Sequence, residues 1–257
     1  ETPQAEAPAP TVEIQPKKTA IVGFTMSNRE APWGNPDWQI WVLNNLWKMC
    51  PPSWHRLYDL HDLKTITSDE DHLAYLRGEE RQSLTGEKVR LGNRPLYCFK
   101  PQPEWPTAVQ FPRDEIVEQL GTYYTNSVSW IVSHALLEMV EAADEFTKVK
   151  LAELATVCED KGYHEMVEPG LRAALQREYL AQCELHLYGI DMSTEGEYSA
   201  QRPSVEFHLG IASGMGVRIH VPTQSDLLKV VGLYGSEEDN ALYAKCVERE
   251  RELLEKG

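Results

Sequence analysis

The sequence predicts an α/β protein with a Rossmann-like, mostly parallel sheet and helices on both faces. Short apolar runs alternate with polar loops and, from residue 122 onward, with helical patterns. The first run, residues 19–24 (TAIVGF), is continuously apolar, which is typical of a strand buried on both faces of a parallel sheet. The order strand, loop, strand, helix, strand, helix, strand indicates a doubly wound sheet.

The elements follow from apolar runs and their periodicity. Strands are predicted at residues 19–24, 38–43, 56–60, 96–99, 107–111, 184–188 and 217–221. For residues 38–43 a short helix-to-strand element is the alternative. The clearest helix begins after an N-cap at Asn126 or Ser127. Its apolar stripe has the spacing of one helical face: Val128, Ile131, Val132, Ala135, Leu136 and Met139. Further helices are predicted over 69–77 and 203–215, the latter opened by Pro203, and from Ser236 onward.

Composition divides the chain into a tail and one domain. Residues 1–18 are rich in Pro, Ala and Glu and are predicted to be a flexible tail. Residues 19–257 are predicted to form a single domain. Residues 143–181 are charged and helical in pattern, with breaks at Gly162 and at Pro169 and Gly170. We interpret this segment as a helical insertion.

Charge and cysteine content exclude several classes of protein. The formal net charge of −15 argues against a broad, non-specific nucleic-acid surface. The five cysteines are scattered without CxxC spacing, which argues against a disulfide framework or a zinc site and favours a cytoplasmic location. The chain has no apolar run near 18 residues, so no membrane association is expected. Its oligomeric state is not predicted.

Polar side chains follow the predicted strands at their carboxyl ends. Because these ends share one edge of a parallel sheet, the residues are expected to form one nucleotide-binding crevice. Gly23 and Ser27 resemble the start of a phosphate-binding turn, and a helix start near Asn126 favours an anion. For each residue the alternative is a simple cap or turn former. The predicted binding residues are Gly23, Thr25, Ser27, Asn44, Thr125, Asn126, Ser127, Gly189, Tyr198 and Gln201.

The candidate catalytic groups are carboxylates, a histidine and an arginine. Asp191, Glu197 or Glu206 could take a proton from an acceptor hydroxyl. His61 is an equal candidate, oriented by Asp62 or by a backbone carbonyl. Arg202 is expected to neutralise a leaving diphosphate. For Glu206, a favourable interaction with the helix dipole is an equal explanation. His208 and His220 are expected to be structural.

Known catalytic motifs are otherwise missing from the sequence. GxSxG, P-loop and HExxH patterns do not occur, which disfavours serine hydrolases, P-loop kinases and zincins. The one Asp-x-Asp pattern, Asp69-Glu70-Asp71, falls at the start of the helix predicted over 69–77, so we do not interpret it as the metal-binding motif of metal-dependent glycosyltransferases. Neither a metal nor a cofactor is therefore predicted.

Two segments carry a resemblance to known proteins: residues 124–135 (YTNSVSWIVSHA) and 184–192 (ELHLYGIDM). They resemble the core of bacterial sialyltransferases and motility-accessory-factor proteins, in which a Rossmann-like sheet binds a nucleotide sugar. The likeness extends to residues 21–27 and to Asn44, where that family has a nucleotide-reading Asn. The segments 38–45, 189–202 and 221–235 are also similar to phage-encoded proteins suspected of glycosylating hydroxymethylated pyrimidines in DNA. The chain departs from the sialyltransferases in its 143–181 segment and in lacking an alignable catalytic histidine.

The resemblance implies a glycosyltransferase that uses a nucleotide sugar, UDP-linked, as co-substrate. Its expected acceptor is a hydroxyl, most plausibly 5-hydroxymethylcytosine or another hydroxymethylated pyrimidine in phage DNA. One alternative is a non-catalytic nucleotide-binding or counter-defence protein, and another is a nucleoside hydrolase or deoxyribosyltransferase-like enzyme. A DNA acceptor requires one basic lip formed by Arg77, Arg81, Lys88, Arg90, Arg94, Lys100 and Arg113.

Overall fold

A single seven-stranded parallel sheet forms the centre of the protein. The computed structural model describes residues 14–157, 161–192 and 198–228. The strand order in the large sheet is β7-β6-β3-β2-β1-β8-β9, and β4 and β5 form a separate antiparallel hairpin. The strands are β1 Lys18–Val22, β2 Gln39–Leu43, β3 Arg56–Tyr58, β4 Arg81–Gln82, β5 Lys88–Val89, β6 Leu96–Cys98, β7 Ala108–Gln110, β8 Glu184–Tyr188 and β9 Arg218–His220.

Six α-helices complete the described part of the chain: α1 Leu63–Ile66, α2 Glu70–Leu76, α3 Arg113–Leu120, α4 Ser127–Val157, α5 Lys161–Leu180 and α6 Tyr198–Gly214. The predicted strands of the large sheet are confirmed, with ends that shift by one or two residues. Helix α3 was not predicted, because its sequence RDEIVEQL contributes Ile116 as its one buried residue and therefore shows little apolar periodicity.

The sheet buries both of its faces, as the continuous apolar runs predicted. Successive strand residues point to opposite sides. Ile21, Trp41 and Leu185 belong to a core shared with α3, α4, α5 and α6. Ala20 and Ile40 belong to a second core that includes residues of α1 and α2. The Rossmann-like α/β class is thereby confirmed, and the apolar stripe predicted for α4 is buried along its length.

The segment predicted as a helical insertion is a long helical hairpin. Helix α4 continues without a break to Val157, and α5 runs through Pro169 and Gly170. The predicted break at Pro169 and Gly170 was therefore wrong, whereas the predicted break at Gly162 lies beside residues 158–160, which are outside the described residues. A proline inside a helix removes one backbone hydrogen bond, but packing of the two helices outweighs this loss. The contact includes the rings of Phe146 and Tyr179, whose centroids lie 5.2 Å apart.

Two further boundaries differ from the sequence prediction. Helix α6 is described from Tyr198, five residues before Pro203, so Pro203 does not open the helix but lies in its second turn, where it removes one backbone hydrogen bond. Ile14 packs on the core and the Tyr179 hydroxyl donates to the Gln15 carbonyl at 2.8 Å, so residues 14–18 are part of the domain. Residues 1–13 of the predicted tail and the helix predicted from Ser236 lie outside the described residues.

Other sequence expectations concern cysteines and membranes. Cys50, Cys98 and Cys183 are buried free thiols. No helix in the described part of the chain combines the length and the apolar character needed to cross a membrane. Among the same residues, no group of three or more His, Cys, Asp or Glu is arranged to hold a metal ion.

The chain reverses its direction of travel across the sheet between β1 and β8. From β1 it steps outward through β2, β3, β6 and β7, and it then returns to β8 on the other side of β1. At this switch point Gly23 N donates to the Tyr188 carbonyl at 2.8 Å, and Thr25 N donates to the Gly189 carbonyl at 3.0 Å. A Cβ atom on Gly23 would lie 2.5 Å from the Gly189 oxygen. Gly189 has φ +65° and lies equally close to Gly23, so both positions require glycine.

We predict that Gly189→Ala lowers the free energy of unfolding by about 2–4 kcal/mol, because the new Cβ meets the Gly23 carbonyl and the positive φ is strained. Urea unfolding followed by circular dichroism measures this change. The matched control is Gly210→Ala in α6, where a Cβ meets nothing within 4 Å and removing a helical glycine adds up to about 1 kcal/mol. Equal stability of the two variants would contradict the tight crossing.

Candidate functional site

A cavity of about 640 Å³ opens at the carboxyl ends of β1, β2 and β8, beside the start of α4. Open α/β sheets bind ligands at this position, outside the switch point of the strand order. Its lining includes nine of the residues predicted from the sequence: Gly23, Thr25, Asn44, His61, Asn126, Ser127, Gly189, Asp191 and Gln201. The remaining wall is largely apolar and includes Phe24, Leu43, Val128, Ile190 and Met192.

Three buried oxygen atoms of this lining have no hydrogen-bond partner within the described part of the chain. They are Thr25 Oγ1, Asn44 Oδ1 and Asp191 Oδ1. A buried polar atom without a partner costs about 1–3 kcal/mol, so a group of three in one cavity needs an explanation. All three atoms accept hydrogen bonds. A ligand rich in hydroxyl and N–H donors would satisfy them.

Asn44 reaches the cavity through an unusual backbone conformation. It follows β2 directly and has φ +49°, in the left-handed region that asparagine tolerates better than most residues. This conformation turns the chain sharply into a 3-10 turn, Asn44–Lys48. Strained residues of this kind are common at binding sites.

The start of α4 is tied to α6 by side-chain hydrogen bonds. Asn126 Oδ1 accepts from Ser129 N at 2.9 Å, which confirms Asn126 as the N-cap. Its Nδ2 donates to the Gln201 carbonyl at 2.8 Å, and Thr125 Oγ1 lies 2.7 Å from Ser204 Oγ. Thr125 and Asn126 therefore brace the helix rather than offer free groups. The N–H groups of the first helical turn, beginning at Ser127, have no intrahelical acceptor and favour an anion.

His61 is held by a buried carboxylate that sequence reasoning missed. Its Nδ1 lies 2.8 Å from Asp59 Oδ1, and Asp59 is 2% exposed. The other carboxylate oxygen lies 2.9 Å from Nε2 of His72, whose Nδ1 accepts from Trp47 Nε1 at 2.9 Å. The predicted orienting group, Asp62, instead caps α1 by accepting from Thr65 N at 2.8 Å.

In this hydrogen-bonded relay, which runs from His61 through Asp59 and His72 to Trp47, the pKa values of Asp59 and His61 are shifted. Burial alone would raise the pKa of Asp59, but the hydrogen bonds from His61 and His72 outweigh it and lower this pKa to about 2. The hydrogen bond to Asp59 raises the pKa of His61 above its ordinary value, against partial burial. His61 is 41% exposed, and its Nε2 has no partner among the described residues. A histidine arranged in this way can accept a proton and be stabilised once charged.

Several predicted site residues do not contact the cavity. Ser27 is buried, and its hydroxyl accepts from Gly189 N at 2.8 Å, so it fixes the crossing of β1 and β8. Arg202 Nε donates to Glu206 Oε1 at 2.7 Å, and neither residue lines the cavity. The roles predicted for Ser27, Arg202 and Glu206 are therefore corrected. Glu197 and the side chain of Tyr198 lie outside the described part of the chain.

The basic lip required for a DNA acceptor does not form as one set. Arg81, Lys88 and Arg90 are paired with carboxylates of α2 and the β4–β5 region, at Asp71, Glu79 and Glu80. Arg94 donates to the carbonyls of Trp54 and Pro52 at 2.9 and 2.6 Å. Lys100 and Arg113 line a smaller cavity next to His61.

Comparison with known proteins yields no relative. No protein-family model matches the chain, and neither curated proteins nor solved structures contain a significant match. The functional assignment therefore rests on the cavity, its unpartnered oxygens and the relay behind His61.

We predict that Asp59→Asn lowers the pKa of His61, because the hydrogen bond to a charged carboxylate is the main cause of its elevation. Imidazole NMR titration of His61 measures the shift. Asp62→Asn is the control, since the Asp62 carboxylate caps α1 and makes only a minor contribution to this pKa. An unchanged His61 titration in Asp59→Asn would contradict the relay.

Proposed function

We propose that the protein is a glycosyltransferase that moves a sugar from a nucleotide sugar to a hydroxyl acceptor. The observation that carries the proposal is the pairing, in one cavity, of three unpartnered buried oxygens with a histidine held by a buried carboxylate. The oxygens fit a ligand rich in hydroxyl groups, and the histidine fits removal of a hydroxyl proton. A uridine diphosphate sugar is the first donor to test.

The cavity suits a nucleotide sugar in size and in polarity. Its volume of about 640 Å³ lies within the usual range for ligand pockets of about 300–1,000 Å³. Thr25, Asn44 and Asp191 would accept hydrogen bonds from ribose, base or sugar donors. The diphosphate would lie at the start of α4, where the helix dipole and the first-turn N–H groups, apart from that of Ser129, favour negative charge. Arg29 lines an adjoining cavity that shares Phe24 and Thr25 with this one.

In this proposal His61 is the general base. Its Nε2 takes the proton of the acceptor hydroxyl while the hydroxyl oxygen forms a bond to the anomeric carbon of the donor. The bond from that carbon to the phosphate oxygen breaks, and its electron pair leaves with the nucleoside diphosphate. Asp59 stabilises the imidazolium that results. General-base catalysis of this kind contributes about 10²–10⁴ to the rate.

The acceptor in the proposal remains a hydroxymethylated pyrimidine, and DNA is its first source to test. The paired state of Arg81, Lys88, Arg90 and Arg94 weakens the case for an extended DNA surface. A short nucleic-acid contact at the cavity mouth needs fewer cations.

We predict that His61→Asn lowers the turnover of the transfer about a hundredfold or more, because the base is lost, while UDP still binds as tightly as to the unchanged protein. Turnover is measured by mass spectrometry of nucleosides after incubation with UDP-glucose and hydroxymethylcytosine DNA, and UDP binding by calorimetry. His220→Asn, on the exposed end of β9, is the matched control and should retain full turnover. Turnover should also rise with pH through the elevated pKa of His61.

Asp191→Asn is expected to affect binding of the donor rather than the action of the base. Loss of a charged acceptor weakens UDP binding about ten- to hundredfold and leaves the pH profile of turnover in place. Tight UDP binding without transfer to any hydroxyl would contradict the proposal and favour a nucleotide-binding module. Cleavage of an N-glycosidic bond without a sugar donor would favour a nucleoside hydrolase.

A further inference from the structure

A second cavity of about 320 Å³ adjoins the cavity of about 640 Å³ described above, and His61 lines both. Its other lining comes from the carboxyl end of β6, from α1 and from the start of α3. Phe99 forms an apolar wall, and Lys100 and Arg113 provide two cations. A group bound here would approach His61 from the side that the donor does not occupy.

The two cations differ from the other basic residues of this region. Neither the Lys100 ammonium nor the Arg113 guanidinium has a hydrogen bond or an ion pair within the described ranges, whereas Arg81, Lys88 and Arg90 are paired with carboxylates. Arg113 lies over the ring of Phe99 at 5.8 Å and over that of Trp130 at 5.8 Å. These ring contacts hold the guanidinium while leaving its N–H groups without acceptors.

One acidic group also lines this cavity and has to be weighed. Asp62 is at its edge, but its carboxylate accepts the Thr65 N–H and caps α1. Cys98 contributes a buried thiol, and burial raises its pKa to about 11, so it carries no charge at neutral pH. The lining of this cavity therefore carries two cations and one carboxylate, that of Asp62, which caps α1. The chain as a whole has a net charge of −15.

We propose that this second cavity binds a phosphate group of the acceptor, so that the acceptor is a nucleotide or a nucleic-acid strand. The inference rests on the proposed function, in which His61 is the base that faces the acceptor. Lys100 and Arg113 supply the positive charge that a phosphate requires. An arginine fork and a lysine point charge are the usual partners of phosphate oxygens. A phosphate held between them would direct the attached nucleoside hydroxyl to Nε2 of His61.

The bound phosphate has two sources: the phosphomonoester of a free nucleotide and a phosphodiester of a nucleic-acid strand. Two cations beside one small cavity fit a single phosphate in either case. An extended basic track would be required for several phosphates, and the pairing of Arg81, Lys88 and Arg90 provides none on the hairpin. Sequence-independent contact with a long duplex is therefore not part of the proposal.

The test compares two double variants of equal charge. Lys100→Gln with Arg113→Gln removes the two unpaired cations, and Lys88→Gln with Arg90→Gln removes two that are paired with Glu80. The probes are hydroxymethyl-dCMP, measured by calorimetry, and a fluorescent single-stranded 12-mer that contains one hydroxymethylcytosine, measured by anisotropy. We expect the first double variant to weaken binding of at least one probe tenfold or more. The second should change it less than twofold.

The salt dependence gives a second readout that a merely structural role would not move. Loss of this one phosphate contact should reduce the slope of log K against log salt for the strand by about 0.7. UDP binding and the thermal unfolding midpoint should stay unchanged in both double variants. Binding of the monophosphate identifies a nucleotide acceptor, and binding of the strand alone identifies a nucleic-acid acceptor.

The two proposals fail in distinguishable ways. Probe binding that depends on Lys100 and Arg113 supports the second cavity even if no sugar is transferred from UDP-glucose. Transfer that proceeds equally well in the Lys100→Gln, Arg113→Gln protein leaves the donor chemistry intact and overturns the phosphate site. Failure of both probes to bind the unchanged protein would also overturn it.

Discussion

The backbone crossing of Gly23 and Gly189 is the constraint on which the site depends. It brings the loop after β1 against the end of β8 more closely than any side chain would allow. The hydroxyl of Ser27 then fixes the Gly189 N–H, and the two strand ends become one wall. Thr25 and Asp191 consequently face the same cavity although 166 positions separate them in the sequence. Without this close approach, the switch point would not enclose the cavity.

The polar residues of the site divide into two groups with different tasks. One group forms its hydrogen bonds within the protein and holds α4, α6 and the loop after β1 in place: Asn126, Thr125 and Ser27. Asn44 and Asp191 keep buried oxygens without a partner in the described chain. Rigid support and unsatisfied acceptors are thus provided by different side chains, as expected for a preorganised binding site.

The sequence predicted much of this arrangement and missed a definable part. Continuous apolar runs identify the strands, and strand ends meet at one edge by topology alone, which is why Asn44, His61 and Asp191 could be listed in advance. Residue type does not tell which polar groups are used inside the protein, so Ser27 was assigned to a ligand although its hydroxyl accepts from Gly189 N. Asp59 was missed because it lay inside a predicted strand, although a buried aspartate there is itself a signal of a partner. Its partner His72 is distant in sequence and follows only from packing.

The relay behind His61 also has a direction. Trp47 can only donate, and it occupies Nδ1 of His72, so His72 has no free ring nitrogen through which to pass a proton inward. The chain of hydrogen bonds therefore ends at Trp47. In the proposed reaction, a proton taken up at Nε2 of His61 would have no path inward through these residues and would leave through the two cavities that His61 lines or directly to solvent. If the proposed reaction holds, the molecules that occupy those two cavities would control how quickly His61 returns to its neutral form.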